Sequence, residues 1–169
     1  IKIPGSETST GSKCAARVIE NRRDKAPVHI DIIGIGSSAY DHLYENDVQV
    51  LGINNSHTSY FRTAGGNLKM ANTRAELYWQ MREVLDPDGD AWIALPPDPE
   101  LKADLCCATW KLTANGVLVE SKTDIIKRLG RSPDKGDAVL LANIVTMKDD
   151  DQEPEYDGRD DEKSDVGGY

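Results

Sequence analysis

Cysteine, histidine and phenylalanine are all scarce in this chain: three, three and one among 169 residues. The cysteines, Cys14, Cys106 and Cys107, form no CxxC pair, and no histidine stands at ligand spacing from them. That pattern favours buried or incidental thiols in a reducing compartment over a zinc site or a disulfide framework. Long apolar runs are also missing, so no segment reaches the roughly 20 residues that a membrane-spanning helix needs. The first residues carry no signal-peptide pattern. The chain opens on Ile1 rather than Met, which leads us to expect the downstream piece of a longer polypeptide.

Positive charge is in deficit, with 20 Lys and Arg against 29 Asp and Glu and a formal charge of −9. The deficit is local. Between Lys148 and Asp165 there are ten acidic and three basic residues, leaving 19 and 17 in the rest. An acidic chain is a poor coat for nucleic acid, yet a near-neutral body can carry a basic patch. Residues 148–169 have almost no apolar side chains and are expected to form a disordered acidic tail. A solvated spacer and a partner-binding or DNA-mimicking arm are both open roles for it. Residues 1–147 form the expected domain, long enough to bury a core.

Within that domain, helices and strands alternate. A polar loop over residues 6–12 precedes a short helix, Lys13 to Asn21. Val28 to Ile33 reads as an apolar strand interrupted by one charge, Asp31. Ser37 to Tyr44 opens a helix, and Val48 to Ile53 is a second strand. Apolar strands separated by a helix imply a parallel pair covered on both faces.

Ala71, Ala75, Tyr78, Met81 and Leu85 recur at helical spacing, with Asn72 as N-cap. Residues 86–90 form a turn, and Trp92 to Leu95 reads as a strand. Asp98-Pro99 starts a brief helix. Asn115-Gly116 lies between two strand-like arms, a hairpin signal. Ser121 with Asp124 caps a helix from Lys122 to Leu129, which Gly130 stops. The stretch RSPDKGDAVLLANIV supplies Ser132 as N-cap and Pro133 at the first helical position of a last helix.

Two glycine loops invite a nucleotide reading. Gly34 to Ala39 fits GxGxxA after a strand and at a helix start, where a dinucleotide fingerprint belongs. Against it, the next strand runs into Asn54-Asn55, with no acidic ribose ligand, and Asp31 interrupts the first strand. GSETSTGSKC has the flavour of a phosphate loop, but Ser12 separates Gly11 from Lys13 and no strand precedes it.

Asp31 is costly in an apolar strand unless it is paired, hydrogen-bonded or bound to a cation. One reading makes it a strand-end carboxylate capping nearby amides. The other seeks further carboxylates, and SPDKGDA offers Asp134 and Asp137 at i and i+3, on roughly one helix face. Close carboxylates repel unless a cation neutralises them. Oxygen ligands without histidine or cysteine suit Mg²⁺ or Mn²⁺. A first-turn Asp is equally at home as a partner of the helix dipole.

The ordered blocks SKCAARVIE, HIDIIGIGSSAYDHL, ANTRAELYWQMREVL, PDPELKADLCCATWKLTANGVLVESK and RSPDKGDAVLLA, spanning about Thr8 to Val145, resemble the nuclease domain of a tailed-phage terminase large subunit. The resemblance implies an α/β fold of the ribonuclease-H-like superfamily, a mixed sheet flanked by helices. It implies Asp31 and Asp134 as catalytic metal ligands, with Asp137 as the second acid of the helix. It further implies a two-metal Mg²⁺ or Mn²⁺ endonuclease that cuts concatemeric viral DNA during genome packaging in the host cytoplasm.

Lys122, Lys127, Arg128, Arg131 and Lys135 gather in sequence around Asp134. Lys122, Arg131 and Lys135 are expected to hold the DNA backbone, whereas Lys127 and Arg128 fit a solvated helix face equally well. The Asn115-Gly116 hairpin fits a DNA-facing arm or a structural one. The expected partners are double-stranded DNA, an upstream ATPase domain of the same polypeptide and, through the tail, a portal or small terminase subunit.

The family also places a first aspartate on a strand upstream of the helix that begins near Lys13, and IKIPGSETSTG holds no counterpart. A complete chain would then bind metal weakly and cleave little. In a trimmed one, the first strands, that aspartate and the ATPase lie upstream. A non-catalytic docking module of a packaging machine is the alternative, and a nucleotide-binding α/β domain a further one.

Overall fold

The first helix begins two residues earlier than its apolar spacing implies, because Thr10 caps it by accepting from the Lys13 amide. The structure is a computed structural model that describes residues 1–89 and 93–144. The expected tail from residue 148 therefore lies outside the described residues, as does Trp92.

Helix α1 (Gly11–Asn21) leads to strand β1 (Val28–Asp31), helix α2 (Ile35–Glu45) and strand β2 (Val50–Ile53). β1 and β2 are parallel, with Asp31 opposite Ile53, and α2 is the crossover that a parallel pair requires. Helix α3 (Thr73–Val84) is capped by Asn72, which accepts from the Ala75 amide at 3.0 Å.

Helix α4 (Pro99–Cys106) follows, capped by Asp98 with proline in its first turn. The hairpin of β3 (Trp110–Thr113) and β4 (Gly116–Val119) is antiparallel. Helices α5 (Lys122–Leu129) and α6 (Asp134–Ala142) complete the order. Ser121 caps α5, and Gly130, at φ 77°, closes it in the left-handed conformation that glycine adopts without strain.

Three expectations need correction. The strands do not make one mixed sheet: among the described residues they form two separate two-stranded sheets. A single parallel bridge, Met70 to Val117, ties the loop before α3 to β4. Gly116 permits this approach, since a Cβ there would sit 2.3 Å from the Lys69 carbonyl oxygen. Ile93 to Leu95 are not strand. They precede Pro96 and Pro97, whose missing amide donors and fixed φ interrupt a ladder. The third correction, at the start of α6, belongs to the site.

Apolar side chains gather in three clusters. Ala15, Leu43 and Val48 join α1 and α2 to the first sheet. Ile53, Leu77, Met81, Leu140 and Ile144 join β2, α3 and the α6 region. Met70, Ala75, Trp79, Val117 and Val119 join α3 to the hairpin. Leu43, Met70 and Ile125 are essentially inaccessible, and burying each contributes roughly 2 kcal/mol. α3 touches the second and third clusters, so it couples the parallel pair to the hairpin. No helix among the described residues is long and apolar enough to cross a membrane.

Candidate functional site

Asp31 is the last residue of β1 rather than an interior one. It therefore stands at the carboxyl end of a parallel strand, where open α/β sheets place their ligand crevices. Its Oδ1 accepts from the Ile33 amide at 3.0 Å, and its Oδ2 accepts from Asn55 Nδ2 at 3.1 Å. The amide-capping reading thus describes one of its two oxygens.

The GxGxxA glycines have a structural account here. Gly34 precedes α2 at φ 70°. A Cβ on Gly36 would fall 1.6 Å from the Asp31 carbonyl oxygen. Only glycine lets α2 rest on the end of β1.

α6 approaches the same place from 103 positions later in the sequence. Asp31, Asn55, Arg74, Tyr78, Lys122, Asp134 and Asp137 all line one pocket of about 260 Å³. The three aspartates singled out from the sequence are thus brought together, in three different electrostatic settings.

Asp137 is taken by cations: Lys122 Nζ lies 2.7 Å from Oδ2, and Arg74 Nη1 lies 3.8 Å from Oδ1. The Arg74 pair is well shielded from solvent, at 14% and 21% exposure, whereas Lys122 is about half exposed. The Arg74 guanidinium also lies over the Tyr78 ring, 5.2 Å from its centroid. Burial pushes the Tyr78 hydroxyl well above its usual pKa, and its oxygen accepts from Arg74 Nη2 at 3.5 Å. Asp134 is half exposed, with Lys2 Nζ at 3.6 Å.

The other two expected DNA contacts point elsewhere. Lys135 Nζ binds Asp98 at 2.6 Å and Glu100 at 2.9 Å. The Lys135 ammonium holds both carboxyls below their usual range, and they in turn raise Lys135. Arg131 Nη1 lies 2.6 Å from Asp104 Oδ1 and 3.4 Å from Glu100 Oε1. Of the three, Lys122 alone lines the pocket with Asp31.

Helix α6 does not start as its sequence implies. Pro133, not Ser132, occupies the N-cap position, Asp134 is the first helical residue, and no local side chain caps the turn. The donors are satisfied from α4 instead. Asp104 Oδ2 accepts from the amides of Lys135 and Gly136, both at 3.1 Å. Asp104 is wholly buried, with Arg131 as its counter-charge. Sequence reasoning passed over Asp104, Arg74 and Asn55. ELKADLC gives no hint that one aspartate serves a helix thirty residues away, but Asn55 had a visible signal as a polar side chain two positions past the end of an apolar strand.

In kind, the donor set fits a hard divalent cation. Two carboxylates, Asp31 and Asp134, share the pocket with Asn55, whose Oδ1 is buried without a hydrogen-bond partner. Among the described residues, no three Asp, Glu, His or Cys side chains stand close enough to hold one ion. The oxygen donors that the pocket offers besides the cation-paired Asp137 are thus Asp31, Asp134 and the Asn55 amide. No family model, no curated protein and no solved structure matches the chain.

Proposed function

We propose that this chain is a metal-dependent DNA endonuclease domain of the ribonuclease-H-like kind found in terminase large subunits. One observation carries the reading: Asp31, at the end of a parallel strand, and Asp134, at the start of a distant helix, line one pocket. Two carboxylates from remote parts of the chain share that pocket, an arrangement that a cation held between them would favour.

Asp31 and Asp134 would hold Mg²⁺ or Mn²⁺. When bound, such ions acidify a water and neutralise the oxygens of a phosphodiester. Asn55 orients the Asp31 carboxylate through its Nδ2 donor. Lys122, paired with Asp137 at the rim, can exchange that carboxylate for a DNA phosphate. The half-exposed Asp134 leaves room for the backbone of a duplex. The ATPase, portal and small-subunit partners, and the host cytoplasm, follow from the same proposal.

The test is Mn²⁺-dependent nicking of supercoiled plasmid by the protein at its full coding length. Nicking is expected, and Asp31→Ala or Asp134→Ala should abolish it. Unchanged nicking in Asp134→Ala overturns the assignment.

A second reading has its own support. Asp137 is neutralised by Lys122 and Arg74, while Arg131 and Lys135 are spent on Asp98, Glu100 and Asp104. Such internal pairing suits a non-catalytic docking module, which predicts no Mn²⁺ binding and loss of partner pull-down when residues 148–169 are deleted.

A further inference from the structure

Asn55 is satisfied on one side only. Its Nδ2 donates to Asp31 Oδ2 at 3.1 Å, while its Oδ1 is buried and meets no hydrogen-bond donor among the described residues. The orientation of the amide is not arbitrary. Turned over, it would set its oxygen against an ionised carboxylate that can only accept. Asp31 therefore dictates that the atom left over is an oxygen and not a nitrogen.

A buried carbonyl left unpaired costs about 1–3 kcal/mol. Hydrophobic residues of similar size would fill the position at lower cost, so the amide earns its place through whatever meets Oδ1. Three carboxylates, Asp31, Asp134 and Asp137, line the same pocket as Asn55. Of these, Asp137 has cations against both oxygens, whereas Asp31 Oδ2 has only the Asn55 amide. A second acceptor beside an acceptor-rich wall calls for a cation.

We propose that Asn55 is a neutral oxygen ligand of the divalent ion held by Asp31. The inference rests on the metal-centre reading above and adds a ligand that the family resemblance does not supply. One side chain then performs two tasks. Nδ2 fixes the Asp31 carboxylate from outside, as partners of metal ligands do, while Oδ1 coordinates. Amide oxygens are ordinary ligands for hard cations of this class. The arrangement also accounts for the carboxylate count: with Asp137 withdrawn by Lys122, an amide completes a set that two aspartates leave short.

The experiment uses Mn²⁺ alone. Binding is followed by the paramagnetic resonance signal of the free ion, and thermal unfolding by circular dichroism with and without Mn²⁺. Asn55→Ala should weaken Mn²⁺ binding by about tenfold or more. Asn55→Asp sets a second carboxylate against Asp31, so its unfolding temperature should fall without metal. Saturating Mn²⁺ should then raise it by more than it raises the wild-type value, as the cation relieves the new carboxylate pair.

If the wild-type chain binds no Mn²⁺, the metal centre falls and the role of Asn55 falls with it. If the wild type binds Mn²⁺ while Asn55→Ala binds equally well, the inference about Asn55 alone is overturned. In that event a water serves Oδ1.

Discussion

A Cβ added to Gly136 would lie 2.7 Å from the Cβ of Asp104. The contact is the price of the cap: α4 and α6 come together closely enough for one carboxylate oxygen to serve two amides.

Gly136→Ala tests that approach. Alanine in a helix interior is favoured over glycine by roughly 0.5–1 kcal/mol. Here the clash is with a buried Cβ and nearby backbone rather than a flexible tip. The clash outweighs propensity, so the variant should be less stable by urea denaturation, opposite in sign to an exposed glycine replacement.

Asp104→Ala removes the cap and leaves Arg131 without its nearest carboxylate. The expected loss is about 2 kcal/mol, the upper range for a helix cap. Asp104→Asn keeps an acceptor for the two amides and should recover a substantial part of that loss. Equal losses in the two variants would show that charge, not capping, is what Asp104 contributes.

Lys122→Ala separates the two uses of Asp137. Lys122 Nζ stands 2.7 Å from Oδ2, where it competes with any divalent ion. Its removal should tighten Mn²⁺ binding several-fold by calorimetry. DNA affinity should fall at the same time, with a shallower salt dependence as one phosphate contact is lost. Weaker Mn²⁺ binding would mean that Lys122 organises the site rather than competing for it.

The α4 clasp has a pH signature. Asp98 and Glu100 titrate below their ordinary 3.8 and 4.5 because Lys135 binds them. Between the ordinary and the depressed values the folded state carries fewer protons than the unfolded one. Stability is therefore present above the ordinary range and is lost as pH falls through the depressed values. These groups are solvent-facing, so the effect is modest. Lys135→Ala should flatten the acid limb of the unfolding-temperature profile, and an unchanged limb would count against the clasp.

Local signals in the sequence carried most of the secondary structure. Asn72, Asp98 and Ser121 cap their helices, Gly130 stops α5, and the turn between Thr113 and Gly116 closes a hairpin. Each acts within four residues of itself, so composition and spacing disclose it. The parallel pairing of β1 with β2 was legible from apolar runs around a helix. The division into two sheets was not, because it depends on how α3 packs between them. Asp31, Asp134 and Asp137 could be singled out because charge in an apolar strand and at a helix start is conspicuous, and the structure sets all three around one pocket. Asp104 was missed because its partners are distant: Ser132 and Pro133 offered a conventional start for α6 and concealed that the cap comes from another helix.

The two halves of the pocket are held by different means. On one side the main chain of α2 sits directly against the Asp31 carbonyl, so that carboxylate inherits the rigidity of the strand beneath it. On the other, the first turn of the helix bearing Asp134 is capped by one distant aspartate, Asp104, while Leu140 anchors the rest of that helix in the core. Warming should therefore misalign the second half while the first keeps its place. On the metal-centre proposal, Mn²⁺ affinity should then fade before the cooperative unfolding transition begins.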